Sequence, residues 1–419
     1  MTHPQITALT LENFRGFTSA RLPLDRPLTV LVGINGAGKT SALDALGRLA
    51  GMISSARRPT SLTEIDIRRG AKGCLITLDG VVGGEAFDIK NSLGVSGESE
   101  ELLTNVVLRP AEGAGSIGHG VGFPAAYYAS DRAVSDRRYA PHVDRASDGE
   151  PPFDVADLAK LEKPSRLRAR VDISYRTFFN WFRYREDHEN EQRSRGNTTY
   201  QDRSLTAVRT AIERVVPGIS RPRVQRIPYR LVATKNGEEY ALDQLSDGER
   251  GLLALVGDLA YRLAVSYPDL ADPLQGYALV LIDEIEQHLH PGWQRIILGG
   301  LQNAFPNCQF VVTTHSPQVL SEAPEGSVVV LSDFQFYDPP APTAGRDTNS
   351  LLLEILGVDP HPKHIVDEIK AITALFDDGD NAGARARLDK LAHNLTERDP
   401  EVARLRTFLD IAERIDETS

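Results

Sequence analysis

Cysteines are scarce in this chain and long apolar runs are absent from it. Among 419 residues there are two cysteines, Cys74 and Cys308, which lie far apart and outside any Cys-x-x-Cys pattern. This spacing argues against a disulfide framework and against a cysteine-based zinc finger. No uninterrupted apolar run reaches the roughly 18 residues of a membrane-spanning helix, and residues 1–27 lack the basic start and apolar centre of a signal peptide. We therefore expect a cytoplasmic protein without membrane contact.

The chain also lacks an overall positive charge. Its formal net charge is −11, so any contact with nucleic acid would have to come from a local basic patch. One segment, Lys160 to Arg230, has 17 basic and 8 acidic side chains, which gives +9 there and −20 for the remainder. This asymmetry is the main compositional indication about partners. The length favours two or three structural units, because a single core of this size is unusual.

The most informative stretch is Leu28 to Ser41, which reads LTVLVGINGAGKTS. An apolar β-rich segment is followed by a glycine-rich turn and a helix start, and the stretch fits the phosphate-loop pattern G-x-x-x-x-G-K-[ST]. Glycines let the backbone approach an anion closely, and the helix start adds the positive end of its dipole. Lys39 would carry charge to the β- and γ-phosphates of ATP, and the Thr40 hydroxyl would ligate Mg²⁺. The predicted cradle comprises Asn35, Gly36, Ala37, Gly38, Lys39, Thr40 and Ser41.

Two further segments place polar groups after apolar strands. Ala278 to Ile282 is fully apolar and is followed at once by Asp283 and Glu284. This order predicts that Asp283 holds the metal ion and that Glu284 polarises the attacking water. His315 follows the predicted strand Gln309 to Thr314, which points it towards the γ-phosphate. A metal cluster of His288, His290 and His315 is the less favoured alternative, since their spacing matches no ligand pattern.

The segment Leu245 to Arg250 reads LSDGER and precedes a long apolar-periodic helix. Ser246 and Glu249 have the spacing of a capping box, so the segment is at least a good helix start. The same geometry leaves backbone N–H groups exposed at a helix N-terminus, which is what an anion site needs. Both interpretations are compatible with the sequence.

Taken in order, the motifs NFRGF (13–17), GINGAGKT (33–40), LSDGER (245–250), LVLIDE (279–284), HLHP (288–291) and TTHSP (313–317) resemble the ATP-binding head of the ABC class, on its RecF and SMC side. The resemblance implies that Arg15 lies near the nucleotide and that His315 is the switch histidine. It also implies that 288–291 is the subunit-contacting D-loop. Ser246, Gly248 and Glu249 would form the signature that reaches the γ-phosphate of a second subunit, so that ATP is held between two heads of a homo-oligomer. Asp131 and Arg132, which follow the strand AAYYA, would act in place of a Q-loop glutamine.

More narrowly, the segments 178–191, 245–263, 305–320 and 345–358 resemble the PtuA ATPases of Septu-type and retron-associated anti-phage systems. This resemblance implies a small HNH-type nuclease as partner. No clustered Glu and Asp of a Toprim nuclease follow His315, so we expect no nuclease site in this chain. A RecF-like repair ATPase and an ATP-stabilised scaffold without significant turnover are the alternatives.

The basic segment has two interpretations. Its arginines and aromatic residues, among them Phe178, Phe179, Trp181 and Phe182, could contact phosphates and stack on bases. Aromatic residues at helical spacing are more often core, with the arginines paired to the acidic run 186–191. A mixed outcome would leave arginines exposed, namely Arg166, Arg168 and Arg170 or Arg221, Arg223 and Arg226.

These observations predict an α/β fold: an ABC-type P-loop NTPase head with a mixed β-sheet, an inserted helical subdomain and a C-terminal helical tail. The expected boundaries are 1–122 and 223–337 for the two halves of the head, 123–222 for the insert and 346–419 for the C-terminal helices. ATP and Mg²⁺ are the expected cofactors.

Overall fold

The computed structural model describes residues 4–54, 62–96, 101–109, 123–130, 175–396 and 398–416. Contacts between Cα atoms divide the chain into two compact units, Met1–Leu351 and Leu352–Ser419. The predicted boundaries at 122, 222 and 337 therefore all fall within the first unit.

The strands are β1 Gln5–Glu12, β2 Ser19–Pro23, β3 Leu28–Val32, β4 Gly73–Val82, β5 Glu85–Ser96, β6 Glu101–Arg109, β7 Ala125–Tyr128, β8 Ile219–Arg226, β9 Tyr229–Lys235, β10 Glu238–Ala241, β11 Leu279–Ile282, β12 Gln309–Thr314, β13 Val328–Ser332 and β14 Gln335–Tyr337. They form three sheets in the described part of the chain. The largest has the order β14-β13-β3-β12-β11-β7 and is parallel except for β14. The others, β2-β1-β4-β5-β6 and β10-β9-β8, are antiparallel.

The helices are α1 Lys39–Ser54, α2 Tyr175–Ser194, α3 Arg203–Val215, α4 Asp247–Ser266, α5 Pro291–Gln294, α6 Ile297–Ala304, α7 Pro317–Ser321, α8 Thr348–Glu354, α9 Lys363–Asp377, α10 Asn381–Leu395 and α11 Pro400–Asp416. In the described residues, no helix combines the length and the apolar character that crossing a membrane requires.

The central strands of the large sheet are buried on both faces. Every residue of β3, β11 and β12 is buried, as expected for parallel strands covered on both sides. α1 contributes Ala42, Leu43, Leu46 and Leu49 to a core shared with residues of both the five-stranded and the six-stranded sheet. Because β3, β12 and β11 run parallel, their carboxyl ends lie at the same edge of the sheet. Open α/β sheets bind ligands at this edge.

A buried amide joins the two larger sheets. Gln309, the first residue of β12, accepts a hydrogen bond from the Ile6 main-chain N–H at 2.9 Å and donates to the Ile6 carbonyl at 2.8 Å. The Tyr277 hydroxyl donates to the same Gln309 side-chain oxygen at 2.9 Å. Because these groups are buried, the amide satisfies backbone groups that water cannot reach.

Three local expectations differ from the structure. The Gly, Ser and Glu content of residues 91–122 indicates a loop, but β5 extends to Ser96 and β6 pairs with it in an antiparallel ladder; residues 97–100 and 110–122 lie outside the described residues. The sequence indicates one helix from about Gly292 to Phe305, and the structure divides it into α5 and α6. The strand AAYYA, expected at the start of the insert, is β7 at the edge of the six-stranded sheet, beside β11. The position of β7 depends on pairing with the distant strand β11, so local composition does not predict it.

The unit Leu352–Ser419 contains the helices α9, α10 and α11. Its core comprises Ile365, Ile372, Leu388, Leu391 and Leu405, which are all buried. The apolar spacing from residue 348 onward indicates three or four short helices, and the described residues of this region form four.

Candidate nucleotide-binding site

The glycine-rich turn between β3 and α1 has the backbone that a phosphate cradle needs. Gly36 and Gly38 have φ angles of 82° and 110°, which lie in the left-handed region that favours glycine. A Cβ at Gly38 would also meet the Phe17 ring at 2.9 Å and the Phe334 ring at 3.0 Å. The turn at Asn35 and Gly36 is exposed. Its backbone is therefore accessible from solvent.

Lys39 lies beneath this turn and is 6% exposed. Its ammonium donates to the Gly33 carbonyl at 2.8 Å and to the Ile34 carbonyl at 3.1 Å. Burial lowers the pKa of Lys39, while the carboxylates of Asp283 and Glu284 act in the opposite direction. The amine is thus held at the turn, near the acid pair that follows β11.

Thr40 and Asp283 meet directly, although 243 residues separate them in sequence. The Thr40 hydroxyl donates to Asp283 Oδ2 at 2.9 Å, and Asp283 is buried. Its other oxygen, Oδ1, accepts from the Thr313 hydroxyl at 2.6 Å. Hydroxyl and carboxylate oxygens are ligands that Mg²⁺ prefers, and Mg²⁺ typically takes one or two protein carboxylates plus substrate phosphates. The residues present therefore fit that ion.

Glu284 has a backbone conformation that is uncommon for a residue with a side chain. Its φ is 50°, and its N–H donates to the Thr313 hydroxyl at 2.7 Å. Non-glycine residues held in this region cost of the order of 1–3 kcal/mol and occur preferentially at functional sites. β12 therefore fixes the turn after β11 through one threonine that contacts both acids.

His315 follows β12 and lies close to the same groups. Burial and the nearby Lys39 charge lower the pKa of His315, against the opposite effect of three carboxylates. The His315 main-chain N–H donates to Glu286 Oε1 at 2.6 Å. Sequence reasoning missed Glu286, because its partner lies 29 residues away in sequence.

Arg15 lies near the start of α1. Its guanidinium donates to Asp44 at 2.9 Å, to Asp66 at 3.1 Å and to the Ser41 hydroxyl at 3.3 Å. Asp66 is buried and also forms an ion pair with Arg48 at 3.2 Å. The acidic partners were not predicted, because they are distant in sequence.

The signature segment 245–250 contacts its own helix, Lys235 and the turn at His288. Ser246 is the N-cap of α4, and its hydroxyl accepts from the Glu249 N–H at 3.3 Å in a capping box. Burial disfavours the Glu249 carboxylate, but Lys235 at 2.5 Å and Ser246 outweigh it and lower the Glu249 pKa. A Cβ at Gly248 would lie closer than 3.0 Å to the His288 carbonyl oxygen. Within the described residues, no hydrogen bond joins Ser246, Gly248 or Glu249 to the phosphate loop.

The Q-loop substitute and the histidine metal cluster are two further predicted sites. Asp131 and Arg132 lie outside the described residues. In the described part of the chain, no group of three or more His, Cys, Asp and Glu side chains could hold a metal ion. The alternative of a cluster formed by His288, His290 and His315 therefore has no support from the structure.

Four aromatic residues of helix α2 in the basic segment belong to the core, whereas Tyr184 is exposed. Phe178, Phe179, Trp181 and Phe182 are all buried, so they are not surfaces on which bases could stack. Several arginines pair with carboxylates: Arg209 contacts Glu186 and Glu189, each at 2.8 Å, Arg226 contacts Asp187 at 2.7 Å and Arg223 contacts Glu239 at 2.5 Å. Arg166, Arg168 and Arg170 lie outside the described residues, whereas Arg203, Arg214 and Arg221 are exposed.

Two family models match the chain. The model described as "AAA domain, putative AbiEii toxin, Type IV TA system" matches residues 120–321, and the model described as "AAA ATPase domain" matches residues 5–68. These matches make the chain similar to AAA ATPase domains, and its described residues have an α/β fold in which the phosphate-loop sequence joins β3 to α1.

The chain is also similar in sequence to a probable ATPase of a retron and to a Septu protein. It is 28% identical to the "Retron Ec83 probable ATPase" of Escherichia coli, over 85% of this chain and 77% of that protein. It is 23% identical to "Septu protein PtuA" of Bacillus thuringiensis, over 84% of each. Among solved structures, an Smc head domain derived from Pyrococcus furiosus is 14% identical over 80% of this chain and 95% of that chain, with a TM-score of 0.49.

Proposed function

We propose that this chain binds and hydrolyses ATP with Mg²⁺ and is the ATPase component of an anti-phage defence system. The similarity to the retron and Septu proteins over more than four fifths of the chain supports the biological setting. The observation that carries the chemical part is the contact of Thr40 with Asp283 at 2.9 Å beside Lys39. It brings a hydroxyl, a carboxylate and an amine together at the edge of a parallel sheet.

Each site residue then has a defined task. The amides from Asn35 to Ser41 and the Lys39 ammonium hold the phosphates, while Thr40 and Asp283 ligate the metal ion. Bound Mg²⁺ would neutralise charge that develops on the phosphoryl oxygens. Glu284 orients the attacking water and accepts its proton. The Thr313 hydroxyl keeps both acids in register, because it contacts Asp283 Oδ1 and the Glu284 N–H.

His315, Arg15 and the signature residues have further tasks at the same site. His315 senses the γ-phosphate, and its lowered pKa keeps the imidazole neutral near pH 7. Arg15 lies beside the last residue of the phosphate loop, because it donates to the Ser41 hydroxyl and to Asp44. Ser246, Gly248 and Glu249 face the site of a second copy, so two heads enclose ATP between them.

We also propose an HNH-type nuclease as partner, on the similarity to PtuA. The exposed arginines Arg203, Arg214 and Arg221 supply phosphate contacts to nucleic acid, without base stacking by the buried aromatic residues. ATP hydrolysis by this chain would then control when the partner cuts.

The test uses the native locus in cells challenged with phage. Lys39→Ala should abolish protection, whereas Lys72→Ala, at an exposed lysine, should leave it intact. Native mass spectrometry of the tagged chain should show a small nuclease in fixed stoichiometry. Full protection by Lys39→Ala would refute the proposal. A dimer that forms only with ATP, without a nuclease, would instead favour a repair ATPase of the RecF kind.

A further inference from the structure

Glu286 is the one acid of the turn after β11 to which the tasks above give no role. Its Oε1 accepts from the main-chain N–H of His315 at 2.6 Å. A hydrogen bond to a charged acceptor is about twice as strong as a neutral one. The bond joins the end of β12 to the turn that carries Asp283 and Glu284. It therefore holds the His315 backbone in place relative to these two acids.

The second oxygen of the Glu286 carboxylate, Oε2, lies in a different environment. Glu286 Oε2 is buried, and it has no hydrogen-bond partner among the residues that the structure describes. An unpaired buried carboxylate oxygen is costly and is rare in native proteins. The charge nevertheless acts on the site, because Glu286 contributes to raising the pKa of both Lys39 and His315 against the larger effect of their burial.

The backbone of Glu286 extends this link towards the signature helix. Its carbonyl accepts from the Leu289 N–H at 2.9 Å, which closes the turn that contains His288, a residue with φ of 62°. The His288 carbonyl lies so close to Gly248 of α4 that no Cβ fits between them. One carboxylate residue thus connects the histidine at the γ-phosphate end with the turn on which the signature helix packs.

We propose that Glu286 is a positioning residue that holds His315 for recognition of the γ-phosphate and transmits the position of His315 to the D-loop turn at His288. This inference rests on the proposed binding of ATP. It differs from a purely structural role in one measurable respect. A structural acid would support ATP and ADP binding equally, whereas a residue acting through His315 affects the ligand that has a γ-phosphate.

The test measures dissociation constants for ADP and for a non-hydrolysable β,γ-imido analogue of ATP by calorimetry, with Mg²⁺ present. Glu286→Ala should weaken binding of the ATP analogue by about tenfold, the effect of losing one charge-assisted hydrogen bond, and change ADP binding less than twofold. Glu286→Gln keeps an acceptor oxygen for the His315 N–H and should retain the preference for the analogue. Gln287→Ala, in the same turn, is the matched control and should bind both ligands normally.

A double-variant cycle tests whether Glu286 acts through His315. His315→Ala alone should lose the preference for the ATP analogue, and adding Glu286→Ala should weaken binding no further. If Glu286→Ala does not fold, Glu286→Met fills a similar volume without an acceptor and replaces it. Unchanged binding, or equal weakening of both ligands, would overturn the inference. Failure of the unaltered protein to bind either nucleotide would instead refute the proposed function.

Discussion

The contact of Gly248 with the His288 carbonyl makes a quantitative prediction about Gly248→Ala. The φ of Gly248 is not in the left-handed region, so the backbone itself admits alanine. The new Cβ would nevertheless lie closer than 3.0 Å to the His288 oxygen and 3.2 Å from its carbonyl carbon. Both obstacles are backbone atoms and cannot rotate away. α4 or the turn would have to move by roughly 1 Å to reach an ordinary C–H···O distance.

Overpacking of this kind costs about 1–3 kcal/mol. We expect the apparent unfolding temperature to fall by a few degrees, since 1 kcal/mol corresponds to about 2–4 °C in domains of 150–250 residues. Gly251→Ala is the matched control, because it lies one turn further along α4 and its Cβ would meet nothing within 4 Å. It should stabilise the protein by up to about 1 kcal/mol, the helix preference of alanine over glycine. Thermal unfolding followed by circular dichroism measures both. Equal unfolding temperatures for the two variants would refute the packing argument.

Three further perturbations have clear expected outcomes. Glu284→Gln should lower ATP turnover by at least about 100-fold and retain ATP binding, as measured by phosphate release and calorimetry, because only the base is lost. Arg209→Ala should cost about 1–3 kcal/mol in denaturant unfolding, because Glu186 and Glu189 each lose one charged hydrogen-bond partner and keep Arg226 and Arg193, whereas Arg195→Ala, in an exposed pair, should cost less than about 1 kcal/mol. Burial and Lys39 lower the pKa of His315, so the folded state binds fewer protons than the unfolded state just below pH 6.5. Stability should therefore fall as the pH drops below 6.5, and His315→Gln should fall less over the same interval.

The fold around the phosphate loop could be predicted because its signals are local. An apolar run, glycines and a helix-forming run follow one another from Leu28 to Ser54, and no distant residue is needed to recognise them. The position of Asp283 follows in the same way from the apolar strand before it. The tasks assigned to Lys39, Thr40, Asp283 and Glu284 remain predictions until nucleotide binding is measured.

Features that depend on distant pairing could not be predicted. Glu286 could not be assigned to His315 from the sequence, because its partner is a main-chain N–H 29 residues away. The arginines of the basic segment looked available for phosphate, yet Arg209 lies 20 and 23 residues from the two glutamates that it contacts. Strand β6 was missed for a different reason: it pairs with the adjacent strand β5, and the Gly, Ser and Glu content around it indicated a loop.

The central claim is that Lys39, Thr40 and Asp283 hold Mg²⁺ and ATP. The most direct measurement is equilibrium binding of Mg²⁺ and ATP to the unaltered chain and to Lys39→Ala, with phosphate release followed in the same samples. We expect saturable binding and slow turnover by the unaltered protein, and loss of both in Lys39→Ala. Binding of ATP by Lys39→Ala with unchanged affinity would contradict the assignment of this site.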